Sequence, residues 1–134
     1  MNAHKYSFKK DRKIKSRKNI NSIFEKGEHV LVSPFHIRGM RKSSENALPR
    51  IQYIFSVSKK KIRKAVERNR IKRQMREICR LLTQDWDTLI SEPNTTIQVV
   101  VVYTGKEKIS FALAKKKLNS GIVRLINKLM LTSG

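Results

Sequence analysis

Apolar residues recur at helical spacing in three stretches of the chain. The first is short, with Ser16 as its cap and Gly27 as a left-handed stop. The second is predicted from near Arg63 to near Thr83, and the third starts near Ser110. The apolar positions are Ile20, Ile23 and Phe24, then Ile71, Met75, Ile78, Cys79 and Leu82, and finally Ala114, Leu118, Ile122, Leu125 and Leu129. Each stretch predicts an amphipathic helix with one face toward a core.

Four other stretches have the pattern of β-strands. Residues 30–32 and 35–40 are separated by Ser33 and Pro34, and the proline predicts a strand start, an edge or a bulge. Residues 50–58 alternate between apolar and polar positions, with Ile54 as the exception. The run IQVVVVY at 97–103 is typical of a strand covered on both faces.

These elements follow the order αβββαβα, which predicts an α+β fold: a single-domain α/β sandwich with helices on a small mixed sheet. A length of 134 residues with 39% hydrophobic content suits one domain with a modest core. Residues 1–15 read as a flexible basic arm, and 16–134 as a single domain. Trp86, in the linker after the second helix, is predicted to be a packing anchor.

The net charge of +21 bears on the function of the second helix, which holds many of the basic residues. Eleven Lys or Arg lie between Lys59 and Arg80, against two acids. Such a charge favours a polyanionic partner, and nucleic acid is the first candidate. A membrane surface is the rival, but the apolar face of this helix lacks Trp and Phe, and no run is long enough to cross a bilayer. We expect a cytoplasmic protein without a membrane partner.

The basic residues of this helix are not all on one side. Turning each residue by about 100° places one group opposite the apolar stripe. That group is Asn69, Lys72, Arg73, Arg76 and Arg80. Arg68 falls toward one edge of the stripe and Arg70 on the opposite flank, so the donors are predicted to reach more than one segment of a nucleic acid. Arginine forks and lysine ammonium groups both suit phosphate oxygens.

Catalytic chemistry has little support in the sequence. Asp85 and Asp87 are interpreted as turn or cap residues, and Cys79 as a small buried hydrophobe. The three histidines, His4, His29 and His36, lack neighbours at zinc-ligand spacing and are interpreted as surface groups. We therefore expect no catalytic residue and no metal ligand in this chain, and a protein-only nuclease is not supported.

The stretch from Pro49 to Glu77 resembles the signature of the bacterial ribonuclease P protein component. The resemblance is strongest in SVSKK at 56–60 and AVERNRIKR at 65–73, which contains Arg68, Asn69 and Arg70. It extends over nearly the whole chain. It implies an αβββαβα domain with a left-handed βαβ crossover, against the usual right-handed rule. It also implies a protein subunit that assists an RNA catalyst in Mg²⁺-dependent removal of the 5′ leader from precursor tRNA.

The resemblance implies residue roles as well. Contacts with the catalytic RNA are expected from Lys59, Lys60, Arg63, Arg68, Asn69, Arg70, Lys72, Arg73 and Arg76. A cleft between the first helix and the sheet is expected to receive the leader, with Ile20, Phe24, Phe35 and Phe55 as candidates. Ile20 departs from the aromatic residue that is common at its position in the family. Ile54 departs from the small residue that is common in the strand before the two lysines. The Mg²⁺ is expected to be bound chiefly by the RNA, and no obligate protein partner is expected.

Two other functions stay open at this point. A ribosomal or other structural RNA-binding protein would bind RNA without a processing role. A DNA-binding regulator would place the basic helix in a major groove, but no helix-turn-helix partner or dimerisation segment is evident.

Overall fold

The computed structural model describes residues 12–14, 17–43 and 50–131, and its elements follow the predicted order. Three helices and four strands are present: α1 (Arg17–Lys26), β1 (Glu28–Val32), β2 (Phe35–Ser43), β3 (Ile51–Val57), α2 (Ala65–Asp87), β4 (Thr95–Tyr103) and α3 (Phe111–Leu131). The αβββαβα order and the α+β class are thus confirmed. Within these residues, no helix combines the length and apolar character needed to cross a membrane.

The four strands form one mixed sheet in the order β1-β2-β4-β3. β1 pairs antiparallel with β2, β2 pairs antiparallel with β4, and β3 pairs parallel with β4. The parallel pair requires a crossover, which α2 provides. The left-handed sense of this crossover stays a prediction from the resemblance. β4 lies between two strands and is buried along nearly its whole length, which confirms the interpretation of IQVVVVY.

Helices cover both faces of the sheet. α2 and α3 pack on one face over the main core, which includes Ile51, Tyr53 and Val57 of β3. α1 packs on the other face over a small cluster. Ile54, the exception to the alternation of β3, packs in that second cluster with Ile23 and so has a reason to be apolar.

α2 continues about one turn beyond the predicted end at Thr83 and includes Trp86. The indole is buried, and its Nε1 donates to Oδ1 of Asn119 in α3 at 2.8 Å. Because this contact joins two helices, the packing role predicted for Trp86 is confirmed. Cys79 is likewise fully buried, and burial raises the pKa of its thiol well above the usual range.

Gly27 ends α1 for a reason other than the predicted one. None of the described glycines has a positive φ, so the left-handed stop is wrong. A Cβ at Gly27 would lie 2.5 Å from the carbonyl oxygen of Ile23 and 2.7 Å from that of Gly39. Glycine is therefore required because the backbones of α1 and β2 approach closely here.

The β1–β2 turn is formed by Ser33 and Pro34, whose peptide bond is cis. Pro34 therefore precedes β2, in agreement with a strand start. The predicted helix cap Ser16, most of the polar loop after β2, and His4 lie outside the described residues.

The flexible arm predicted over 1–15 needs correction at residues 12–14. Ile14 is buried, and its backbone N–H donates to the carbonyl of Tyr53 at 3.1 Å. Lys13 forms a parallel bridge with Tyr53 at the free edge of β3. This N-terminal segment thus extends the sheet. Residues 1–11 and 15 lie outside the described part of the chain.

Candidate nucleic-acid interface

α2 presents its basic side to solvent because its other side is buried in the core. Ile71, Met75, Ile78 and Cys79 are all buried against the sheet and α3. This packing fixes the rotation of the helix about its own axis. The opposite side is consequently held toward solvent.

Four cations on α2 have no acidic partner among the described residues: Arg68, Lys72, Arg73 and Arg76. Arg73, Arg76 and the neighbouring Asn69 are exposed, and Lys72 is half-buried. Arg80, predicted on the same face, donates from Nε to Oε2 of Glu77 at 2.8 Å. The hydrogen bond from Arg80 lowers the pKa of Glu77. The uncompensated charge is thus concentrated in the first half of the helix.

Arg68 and Arg70 differ in their surroundings. Arg68 donates to the carbonyl oxygens of Ile62 and Arg63 at 2.9 and 2.6 Å, so it secures the turn that leads into α2. Arg70 is exposed and forms an ion pair with Glu67 at 3.2 Å, which contributes little in solvent. Arg68 is therefore a structural donor in this state, whereas Arg70 is accessible to a partner.

The cations before α2 are also accessible. Lys59 and Lys60 lie in the turn after β3 and are exposed, as is Arg63 just before the helix. They extend the basic surface along the chain from the end of β3 to α2. Each of these three residues was expected on an RNA-contacting surface from the sequence.

One side of α2 faces a cavity of about 240 Å³ at the edge of β3. We call this side the β3 flank. Its cations are Lys72 and Arg76 of α2 and Lys13 of the N-terminal segment. Its other lining residues are Ile14, Tyr53, Ile54 and Phe55. Lysine and arginine around an apolar and aromatic floor are the combination that single-stranded nucleic acids prefer.

Arg12 holds the N-terminal segment in this position. Its guanidinium donates to both carboxylate oxygens of Asp87, at 3.3 and 2.7 Å, and to Oγ1 of Thr83 at 3.1 Å. A further hydrogen bond reaches the carbonyl of Ile51 at 3.2 Å. Asp87 was interpreted as a turn or cap residue from the sequence, so its role is corrected here. Nothing in the local sequence marks residues 75 positions apart as partners.

The four candidates for the leader cleft lie in different places. Phe35 is fully buried and packs edge-on against Tyr103 in the main core, at 5.4 Å between ring centroids. Its ring is therefore not accessible from solvent in this structure. Phe55 lies on the same face of the sheet as Phe35 but lines the cavity of the β3 flank, stacked on Tyr53 at 5.9 Å.

Ile20 and Phe24 lie on the opposite face of the sheet. Ile20 is half-buried against the small cluster beneath α1. Phe24 is 46% exposed, and the guanidinium of Arg38 lies 5.5 Å from its ring centroid. Sequence reasoning did not identify Arg38, because its position on the same sheet face as Phe24 depends on the packing of α1. Phe24 and Arg38 therefore form an accessible aromatic–cation pair beside α1.

The histidines form a pair near this surface. The rings of His29 and His36 lie 5.7 Å apart on adjacent strands. Desolvation and the charge of Arg38 lower the pKa of His29. In the described part of the chain, no group of three or more His, Cys, Asp or Glu side chains is arranged to hold a metal ion.

Comparison with known proteins gives a consistent result. A family model described as Ribonuclease P matches residues 8–126. The chain belongs to the ribonuclease P protein family. It is similar to the ribonuclease P protein component of Porphyromonas gingivalis strain W83, with 26% identity over 120 residues, 90% of this chain and 87% of the relative. The same component from Desulfosudis oleivorans is 41% identical over 86 residues, 61% of this chain and 67% of the relative.

A solved ribonuclease P protein supports the fold. The structure from Staphylococcus aureus has a TM-score of 0.65 and 22% identity, and the match covers 87% of this chain and 98% of that one. At this identity, the likeness concerns the fold alone. It agrees with the three helices and the four-stranded mixed sheet described above.

Two departures from the ribonuclease P pattern now have a structural setting. Ile20 and Ile54 both pack in the small cluster beneath α1, together with Ile14, Ile23 and Val100. Branched aliphatic side chains at these two positions therefore fill the contact between α1 and the sheet. The aromatic surface that remains accessible on α1 is that of Phe24.

Proposed function

We propose that this chain is the protein subunit of ribonuclease P, which binds the catalytic RNA and precursor tRNA and assists removal of the 5′ leader. The observation that carries the proposal is the run of uncompensated cations on α2, in a chain whose ribonuclease P match spans residues 8–126. Arg73 and Arg76 are held toward solvent, and Lys72 is half-buried beside them, on a helix whose other side is buried.

The physical role of this charge is to bring two polyanions together. The catalytic RNA and the precursor tRNA repel each other, and a protein of net charge +21 lowers the cost of their approach. Each phosphate contact also releases condensed counterions, which makes the binding depend on salt concentration. The proposal assigns the phosphodiester chemistry to the RNA and its Mg²⁺.

A second surface supports recognition of the leader. Phe24 presents an exposed ring beside α1, and Arg38 adds a positive charge 5.5 Å from its centroid. Bases of single-stranded RNA stack on aromatic rings, and the neighbouring cation attracts the backbone. Precursor tRNA differs from mature tRNA in having the single-stranded 5′ leader. Contact at Phe24 would therefore favour substrate over product.

The deciding experiment is a precursor-tRNA cleavage assay with catalytic RNA, performed with and without the full chain. Protein alone should release no leader, whereas its addition should lower the Mg²⁺ concentration that the RNA needs for half-maximal cleavage. A Lys72→Gln, Arg76→Gln double variant should lose most of this effect. A Lys115→Gln, Lys116→Gln variant, which removes the same charge from α3, is the matched control.

Two outcomes would contradict the proposal. An unchanged Mg²⁺ requirement in the presence of wild-type protein would leave a structural RNA-binding role as the better interpretation. Cleavage by the protein without RNA would place the chemistry in this chain instead.

A further inference from the structure

Two imidazoles and one guanidinium lie together on the face of the sheet that α1 packs on. His29 of β1 and Arg38 of β2 are directly opposite each other in the β1–β2 ladder, so their side chains project from the same face. His36 precedes Arg38 by two residues on the same strand and therefore shares that face. We call these three residues the His–Arg cluster. None of them belongs to α2 or lines the cavity of the β3 flank.

The His–Arg cluster is accessible from solvent. His29 is exposed, while His36 and Arg38 are half-buried. Among the described residues, Arg38 has no acidic partner. Its Nη1 donates to the carbonyl of Phe24 at 3.5 Å, which is at the limit of a hydrogen bond. A guanidinium carries five N–H donors, so Arg38 keeps donors for an anion.

The charges around His29 oppose its protonation in the free protein. Lys128 of α3 lies close, because its Nζ donates to the backbone carbonyl of His29 at 3.1 Å. Desolvation lowers the pKa of His29, and so do the charges of Arg38, His36 and Lys128. The nearby acids Glu25 of α1 and Glu28 of β1 are not among the groups that shift this pKa. His29 is therefore mainly neutral at pH 7.

A bound phosphate would reverse this balance. An anion next to Arg38 favours the charged form of a neighbouring imidazole and so raises the pKa of His29. Binding is then accompanied by proton uptake. The gain in affinity is fully present below the pKa of free His29, and it is lost as the pH rises through the higher pKa of the bound form.

Phe24 favours an RNA strand over a free phosphate ion. Its ring is 46% exposed, and its centroid lies 5.5 Å from the guanidinium carbon of Arg38. A base can stack on such a ring while the adjoining phosphate lies at the cation. A strand therefore uses both features, whereas a free phosphate uses only the second.

We infer that His29, His36 and Arg38 form a site for one backbone phosphate of single-stranded RNA, and that the imidazoles take up a proton when the strand binds. The inference rests on the proposed function, in which the 5′ leader of precursor tRNA supplies the strand. It adds a pH dependence that the lysines and arginines of α2 do not produce, because those side chains keep their charge between about pH 5 and pH 8. Affinity for the leader thus depends on pH.

The first test measures binding of a 5′-hydroxyl hexauridylate to the full chain at about pH 8 and about pH 5.5, at constant ionic strength. Uracil and phosphodiesters do not titrate in this range, so a pH dependence reports on the protein. We expect the affinity to rise about two- to fivefold at the lower pH, which is the strength of an exposed ion pair. The His29→Gln, His36→Gln double variant should bind equally at both pH values.

His4→Gln is the matched control. It removes the third histidine of the chain, which lies outside the His–Arg cluster, and should keep the full pH dependence. If the double variant fails to fold, His29→Gln alone gives the same comparison, because His29 is exposed.

Proton NMR of the imidazole resonances locates the proton. The His29→Gln variant identifies the signal of His29 among the three histidines. The midpoint of the His29 titration should move to higher pH when the strand is bound. Sulfate at the same ionic strength should move it less, and an equal effect of sulfate would overturn the assignment to a strand.

An affinity that does not change with pH, or a pH dependence that persists in the double variant, would overturn the site. Loss of the dependence in His4→Gln would do the same. None of these measurements contains catalytic RNA. A protein that assists precursor-tRNA cleavage but binds the strand without proton uptake would therefore refute the phosphate site alone. Proton-linked binding without any assistance to cleavage would refute the proposed function alone.

Discussion

The two sides of α2 have similar charge but different neighbours. On the β3 flank, Lys72 and Arg76 face a cavity closed by the N-terminal segment and the edge of the sheet. On the other side of α2, which we call the α3 flank, Arg70 and Arg73 face an open cavity of about 310 Å³ that is bordered by Lys108 and Phe111. One helix with a continuous basic sequence thus presents two separate surfaces. Charge density sets the attraction for RNA, whereas the neighbouring elements determine what each surface can bind.

Different contacts hold the elements that border the two cavities. The β3 flank depends on Arg12, which joins the N-terminal segment to Asp87 near the end of α2. The segment that borders the α3 flank is held by a local bond, from Tyr103 to the carbonyl of Glu107, and by a bond from Gln74 of α2 to the carbonyl of Ile109. Neither bond involves Arg12. A single long-range contact can therefore be removed from one flank while the other is left intact.

The largest expected effect is that of Arg12→Ala. It removes four hydrogen bonds and leaves the carboxylate of Asp87 half-buried without this partner. We expect the free energy of unfolding to fall by about 2–3 kcal/mol, in line with hydrogen bonds to charged groups. Urea denaturation measures the change. Arg17→Ala, an exposed arginine of α1, is the control, and equal stability of the two variants would show that Arg12 does not anchor the segment.

Charge removal on each flank should have the next largest effect. The Lys72→Gln, Arg76→Gln double variant removes charge from the β3 flank. The Arg70→Gln, Arg73→Gln double variant removes the same charge from the α3 flank. Each pair should flatten the dependence of log K on log salt by roughly 1.4–1.8, or about 0.7–0.9 per phosphate contact. Near 0.1 M salt, this corresponds to about 25- to 60-fold weaker RNA binding, or about 2 kcal/mol.

Combining the two pairs sharpens the comparison. If the flanks contact separate RNA segments, the losses of slope should add. A pair that leaves the slope unchanged would show that its flank does not contact phosphate. The Lys115→Gln, Lys116→Gln variant controls for the overall reduction of charge.

Arg68→Ala should affect the fold more than the salt dependence. Its guanidinium satisfies the carbonyls of Ile62 and Arg63, so its loss should lower the free energy of unfolding by about 1.5 kcal/mol. Thermal denaturation and RNA titrations at several salt concentrations would separate the two effects. A full loss of one phosphate contact at unchanged stability would contradict this assignment. Arg70→Ala should show the reverse pattern, because Arg70 is exposed.

Phe24→Ala should have the smallest effect. The ring is half-exposed on the face of the sheet opposite α2, so neither flank should change. Loss of one stacked base would weaken the binding of precursor tRNA by about 1 kcal/mol, or roughly fivefold, and leave the binding of mature tRNA unaffected. Leu31→Ala is a suitable control because Leu31 is also about half-exposed. Equal losses for precursor and mature tRNA would indicate a packing role for Phe24.

Local sequence patterns were sufficient to predict much of this structure. The order of the elements, the faces of β3, the buried character of β4 and the apolar stripe of α2 all follow from spacing along the chain. Each depends on a period of 2 or 3.6 residues, which the backbone geometry of a strand or a helix imposes on its side chains. The placement of Arg68 at one edge of the stripe and Arg70 on the other flank follows from the same geometry.

Other features required the packed chain. Arg12 and Asp87, or Phe24 and Arg38, meet because separate elements pack together, and no local period encodes such contacts. Phe35 shows the converse: an aromatic residue that suits a binding cleft is buried in the main core, where it packs against Tyr103. Gly27 is needed for close approach of two backbones, which chain position alone does not reveal. The sequence by itself determined the elements and the charge of α2, whereas tertiary packing decided which cations stay accessible and what lies beside them, because those contacts join residues far apart in the chain.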